Sequence, residues 1–227
     1  MISSRAPVTN NDLVMVVIDD HSIQRLQQKW PWPRSYHAAL INHLTDADAA
    51  VVAYNVIFAE RGEEDQLLRE AIRRNGRVVL PIDREVNYGQ NIFINEANIG
   101  HASIESDPDS ILRGITIYED LYGESVPAFA LAVLKMVNPI RSAQLERRFG
   151  HDTKSYNRQT NFIYSVRDEI PVYSFIDVLE RKINPQVFKD KIVFVGVIGT
   201  GIGQRFIPAD RDKRSWSGTG VQISLFN

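Results

Sequence analysis

Six consecutive apolar residues, Leu13 to Ile18, constrain this chain more than any other stretch. A strand with one face in water alternates apolar and polar side chains, whereas an unbroken run suits a strand buried on both faces. Such a strand belongs inside a sheet covered by helices. Ala49 to Tyr54 and Val78 to Ile82 have the same character, and Lys191 to Val197 reads as a further strand. Two helical patterns separate the first three runs. The first starts near Ser35 and puts Tyr36, Leu40, Ile41 and Leu44 on one side. The second opens with Glu63, Glu64 and Asp65, which suit the positive end of a helix dipole, and closes with Arg73 and Arg74. Asn75-Gly76 stops it, because glycine tolerates the left-handed conformation, and Leu67, Leu68, Ala71 and Ile72 form its buried stripe. This β-α-β-α-β order implies parallel strands with right-handed crossovers. The expected fold class is α/β: a central, mostly parallel sheet flanked by helices, with the first strand inside the sheet.

The middle of the chain is less regular. Short β-type patches occur at Ile92 to Ile94, Ala102 to Ile104 and Ile115 to Tyr118, giving an irregular β-rich excursion over about 84–119. Asp107-Pro108-Asp109-Ser110 reads as a turn. Its two aspartates lack the oxygen-rich spacing of a calcium loop. Val126 to Val137 is apolar nearly all round and reads as one buried helix. The polar stretch 138–161, with Arg147, Arg148 and Lys154, reads as a surface excursion. Phe162 to Val166 is a strand signal, and Ser174 with Asp177 is a helix-start pattern. The whole of 1–227 reads as one domain.

Length and charge narrow the function classes. A chain of 227 residues buries about 70% of its unfolded surface and needs no staples. With 26 basic and 28 acidic residues the net charge is −2, which argues against a nucleic-acid groove. No cysteine is present, which removes disulfides, thiol catalysis and cysteine-ligated zinc. The longest apolar run is far short of a membrane span, and no signal peptide is visible.

The candidate binding residues gather around Trp30-Pro31-Trp32-Pro33-Arg34. Two prolines between bulky rings make a stiff entry, and Pro33 suits the start of a helix. This delivers Arg34 to a helix N-terminus, where it can meet a ligand acid or pair with Asp19 or Asp20. If the strands are parallel, their carboxyl ends share one edge of the sheet. Asp19, Asp20 and Ser22, then Asn55, then Gly199 and Thr200 emerge there, with Gln204 close behind, and Trp30 and Trp32 wall the cavity. Open α/β sheets bind ligands outside those ends. Gly199-Thr200-Gly201-Ile202-Gly203 is a glycine-rich turn, but Gln204 stands where a dinucleotide fingerprint wants glycine, and no phosphate-loop lysine follows. No cofactor and no metal site is therefore expected. The five histidines offer no metal pair on one helix face, since His37 and His43 stand six residues apart.

Several motifs together resemble the second type of CHASE domain, the extracytoplasmic sensory module of bacterial membrane receptors. They are Val16-Val17-Ile18-Asp19-Asp20 with the tryptophan-proline segment, and Ala50 to Tyr54 leading to Asn55-Val56-Ile57-Phe58. Asp107-Pro108-Asp109 with Arg113, Phe188 to Gly196, and Gly218-Thr219-Gly220-Val221-Gln222-Ile223 complete the set. The first and the closing strand motifs are the specific ones. The chain departs from the family at Asn55 and near Gln204, where aspartates are usual, and near Ser110, where glycine is usual. The first two departures fall at the expected pocket, so this chain need not share a ligand with the family. The resemblance implies membrane helices of the same polypeptide outside these residues. It also implies placement on the periplasmic or extracellular side of a bacterial inner membrane. A cytoplasmic output such as a nucleotide cyclase, diguanylate cyclase or histidine kinase, and a homodimer, follow from the same resemblance.

Two function classes follow. One is a sensor that binds a small molecule or other extracellular signal and does no chemistry. The other is a metal-assisted hydrolase using Asp19, Asp20 and Asp210. Neighbouring residues on a strand alternate sides, so Asp19 and Asp20 share a metal only if the chain turns there. No nucleophile-elbow serine is present. The expectation is the sensor, with any ligand bound near Asp19, Arg34 and Gly199.

Overall fold

The computed structural model describes residues 8–84, 93–103, 111–112, 116–149, 170–198, 205–208 and 216–217. The chain opens with β1 (Leu13–Ile18), α1 (Asp20–Leu26), α2 (Arg34–Asp46), β2 (Val51–Asn55), α3 (Asp65–Asn75) and β3 (Val78–Ile82). The middle holds β4 (Asn98–His101), β5 (Ile111–Leu112), β6 (Tyr118–Leu121) and β7 (Glu124–Pro127). Then follow α4 (Phe129–Val137), α5 (Pro139–Phe149), β8 (Val172–Ser174), α6 (Phe175–Leu179), β9 (Ile192–Val197), β10 (Arg205–Pro208) and β11 (Trp216–Ser217).

Six strands form one sheet in the order β4-β3-β2-β9-β1-β8, and every pairing in it is parallel. As expected from its apolar run, β1 lies inside, between β9 and β8, with Met15 opposite both Phe194 and Val172. Its side chains divide with the period of two that a strand imposes. Val14, Val16 and Ile18 pack with α2, α3 and α6, while Leu13, Met15 and Val17 pack with α4. The connections β1 to β2, β2 to β3 and β8 to β9 all step the same way across the sheet, and their helices lie on one face. The return from β4 to β8 steps the other way and carries α4 on the opposite face. A single crossover hand requires this exchange of face with direction. Two small sheets also form among the described residues: the hairpin β6-β7, and β11-β10-β5.

The structure differs from the sequence reading in several local places. β4 joins the main sheet although it falls in the stretch assigned to an excursion. Its sequence, Asn-Ile-Gly-His, has no strand signal of its own, and its pairing is set by β3, with Leu80 opposite Ile99. Gly100 permits it. A Cβ there would stand 2.5 Å from Phe129 Cα, so β4 and the start of α4 touch backbone to backbone. The expected patch near Ile94 is a turn, and strand structure ends at His101 before the patch at Ala102. The expected helix over Val126 to Val137 is split, because Val126 and Pro127 finish β7 before α4 begins at Phe129. Residues 139–149 of the polar excursion form α5, which packs on α4 and tucks Leu145 against the core. The expected strand 162–166 lies outside the described residues. No described helix is long and apolar enough to cross a membrane.

Candidate functional site

The carboxyl edge of the sheet carries Asp19, Asn55 and Ser174 at the ends of β1, β2 and β8. A short helix unforeseen in the sequence, α1, begins directly after β1, and Asp19 caps it. Its carboxylate accepts from Ser22 N at 2.8 Å, Ser22 Oγ at 2.6 Å and Ser174 Oγ at 2.9 Å. Ser22 is wholly buried, and its hydroxyl also accepts from the backbone N–H of Ile176 at 3.2 Å. This knot ties the end of β1 to the starts of α1 and α6, and it satisfies the acid with short hydrogen bonds. Asp19 and Ser22 thus fasten elements together. Asp20 starts α1, half-buried. Asn55 ends β2 beside Gly196 of β9, also half-buried. Among the described residues no three acids or histidines form a metal-sized cluster. Gly199, Thr200, Gln204 and Asp210 lie outside the described residues.

The tryptophan-proline segment forms one wall of a cleft at the same edge. The Trp30–Pro31 peptide bond is cis. Trp32 is buried at 2% exposure, its ring 5.1 Å from Phe175, and its Nε1–H donates to Gln28 O at 3.3 Å. Trp30 meets the Trp32 ring at 5.4 Å but stays half-exposed. The opposite wall is the loop after β2, Ile57 and Ala59 to Glu64, and the space between is about 790 Å³. Ile57 is exposed at 38%, and Glu60, Arg61 and Glu63 are exposed beside it.

Arg34 holds the two walls together. Its Nε donates to Asp65 Oδ1 at 3.1 Å, its Nη2 donates to Glu60 O at 2.7 Å, and its guanidinium lies 4.7 Å from the Phe58 ring centre. It therefore pairs with neither Asp19 nor Asp20, because the loop before α3 brings Asp65 to the start of α2. Glu64, in the same loop, accepts from Ser35 N at 2.9 Å, and this hydrogen bond holds its carboxyl below the usual range. Pro33 occupies the capping position of α2 and has no side-chain oxygen, so the cap comes from elsewhere in the chain.

Beneath the cleft, His37 is buried at 1% exposure, with Nδ1 2.6 Å from Tyr54 Oη. Trp30, Trp32, Phe58 and Phe175 surround its ring. Burial, and then the Arg34 charge, push its pKa down to about 3, so the imidazole is neutral at ordinary pH. Burial pushes the Tyr54 phenol well up.

Of the residues singled out in the sequence, the structure brings Trp30, Trp32 and Arg34 to the cleft. Asp19 and Ser22 go to the knot at the ends of β1 and β8. The second wall and the partner acids Glu64 and Asp65 went unrecognised, since an acidic helix start is ordinarily read as a favourable dipole contact and nothing more. A further buried cluster was equally hidden. Glu119 of β6 contacts Arg84 and has Oε2 3.5 Å from His101 Nδ1 at the end of β4.

A family model described as CHASE2 domain matches residues 1–227. Neither the comparison with curated proteins nor that with solved structures gives a match.

Proposed function

The chain belongs to the CHASE2 family of extracytoplasmic sensory domains, and from that premise we propose that it is the input module of a bacterial membrane receptor whose signal binds in the Trp30–Glu64 cleft. The observation that carries this is the construction of the cleft. One wall, Trp30 to Pro33, runs directly into α2, and the other, the loop after β2, is fastened to the first turn of α2 by the bonds of Arg34 to Glu60 and Asp65 and of Ser35 to Glu64. A ligand that changes the spacing of the walls therefore bears directly on α2.

That helix is a rod of 13 residues, about 20 Å long, and it runs to the opposite edge of the sheet. There Asp190, just before β9, donates its backbone N–H to Asp48 O at 3.0 Å. Displacement at the cleft thus has a mechanical route to the lead-in of the central strand. A signal passes only if the ligand prefers one arrangement of these parts to the other. On this reading the domain stands on the periplasmic or extracellular side and is joined to membrane helices of the same polypeptide. It works as a homodimer and governs a cytoplasmic nucleotide cyclase, diguanylate cyclase or histidine kinase. Gly199, Thr200 and Gln204, which follow β9 in the sequence, belong to the proposed binding region. The module itself does no chemistry.

The test joins the domain to its native flanking segments and output and measures basal and stimulated output with Arg34→Ala and Thr200→Val. Both variants are checked for folding by circular dichroism. Altered response in either supports the site. Unchanged basal and stimulated output in both, with folding intact, overturns it.

A further inference from the structure

We propose that a second pocket, at the carboxyl-terminal end of α2, binds a small carboxylic acid with an apolar body, its carboxylate held by Arg181. The pocket lies between the end of α2, α6 and the turn before β9 and encloses about 180 Å³. Ala47, Val178, Ile183, Pro185 and Phe188 give it an apolar lining, with Val178 and Phe188 buried. An apolar cavity of about 150 Å³ in another protein holds benzene, so this one has room for a single ring or a short aliphatic chain.

The polar groups at the pocket select the other end of the ligand. Asp46 is paired with Arg74 at 2.5 Å. His43 is kept neutral, because burial and then the Arg181 charge both lower its pKa. Its Nε2 accepts from Arg181 Nε–H at 3.2 Å. This bond steadies the guanidinium, while its two terminal nitrogens have no partner among the described residues. Arg181 also sits at φ 58°, in the left-handed region that non-glycine residues seldom occupy. It ends the turn after α6, with its backbone N–H donating to Val178 O at 3.0 Å. A steadied guanidinium whose terminal donors meet no described residue, beside an apolar slot, fits a carboxylate, which accepts two parallel hydrogen bonds. None of the residues lining this pocket lines the cleft at the other end of α2. The inference therefore stands apart from the sensing site proposed above.

Benzoate and its uncharged counterpart benzamide are the probes. Each is titrated into the full 227-residue chain at neutral pH and followed by ¹H–¹⁵N correlation spectra. Benzoate is expected to shift Val178, Arg181 and Phe188 saturably, and benzamide to bind at least tenfold more weakly. Arg181→Gln, an exposed position that leaves the core untouched, should lose that preference by tenfold or more. Arg147→Gln on α5 should keep it. Equal affinity for the two probes, unchanged benzoate affinity in Arg181→Gln, shifts confined to the Trp30–Arg34 cleft, or no saturable shift at all would each overturn the proposal.

Discussion

The backbone N–H of Ser35 donates to the carboxylate of Glu64 at 2.9 Å, so α2 is capped by an acid 29 residues further along the chain. The bond favours the charged carboxyl and lowers its pKa from the ordinary 4.5. A group whose folded pKa is depressed contributes stability above its unfolded value and loses it as pH falls. At neutral pH, melting temperatures should fall in the order wild type, Glu64→Gln, Glu64→Ala. The gap between wild type and Glu64→Gln should narrow as the melts are repeated at pH values falling below 4.5 and through the lowered folded value.

Trp32 and Trp30 share a segment but differ in burial. Trp32→Ala removes a ring packed against Phe175 and should destabilise by about 3–5 kcal/mol. Trp30 is half-exposed at the cleft, so Trp30→Ala should cost clearly less. Urea unfolding of the two variants gives the order, and equal, negligible shifts would show that the segment is only a surface loop.

His37 should make the domain acid-sensitive. Its pKa is pushed from 6.5 down to about 3, so the unfolded chain binds the proton more readily between those values. Its contribution is whole above pH 6.5 and is lost as pH falls towards 3, at up to about 1.4 kcal/mol per pH unit. Denaturant titrations at pH 7, 6, 5 and 4 should show that slope, and His37→Gln should flatten it.

Gly100 is the steric test of the return connection. Gly100→Ala would drive a methyl group into the Phe129 backbone, 2.5 Å from its Cα. Neither β4 nor the start of α4 can yield without moving its neighbours, so a cost of about 1–3 kcal/mol or more is expected in thermal or chemical unfolding. Because the site lies away from the cleft, ligand response should persist wherever the variant is folded.

The elements that were legible in the sequence are those whose signal is local. The runs at Leu13–Ile18 and Val78–Ile82 are buried strands because burial on both faces demands apolar residues at every position. The stop at Gly76 was equally plain. The glycine adopts φ 67° and its N–H donates to Ile72 O, as a helix end of this kind requires. The tryptophan-proline segment announced itself by stiffness and bulk, and Trp32 is among the largest fully buried side chains.

What remained hidden was partnership. Arg34 was visible as a helix-start residue facing acids, but the sequence offered Asp19 and Asp20 as the nearest, and the fold supplied Asp65. Asp19 went instead to Ser22 and Ser174, the latter 155 residues away. β4 and the cap of α2 share the same origin, since each depends on a partner that only packing brings near. The sequence by itself determined β1, β2, β3 and β9, the helices α2 and α3, and the parallel order of those strands, because periodicity and chain direction are properties of neighbouring residues. Only the tertiary structure decided which acid meets which base and where the walls of the cleft stand. A hydrogen bond or ion pair is specified by distances of about 3 Å in space, and separation along the chain carries no information about those.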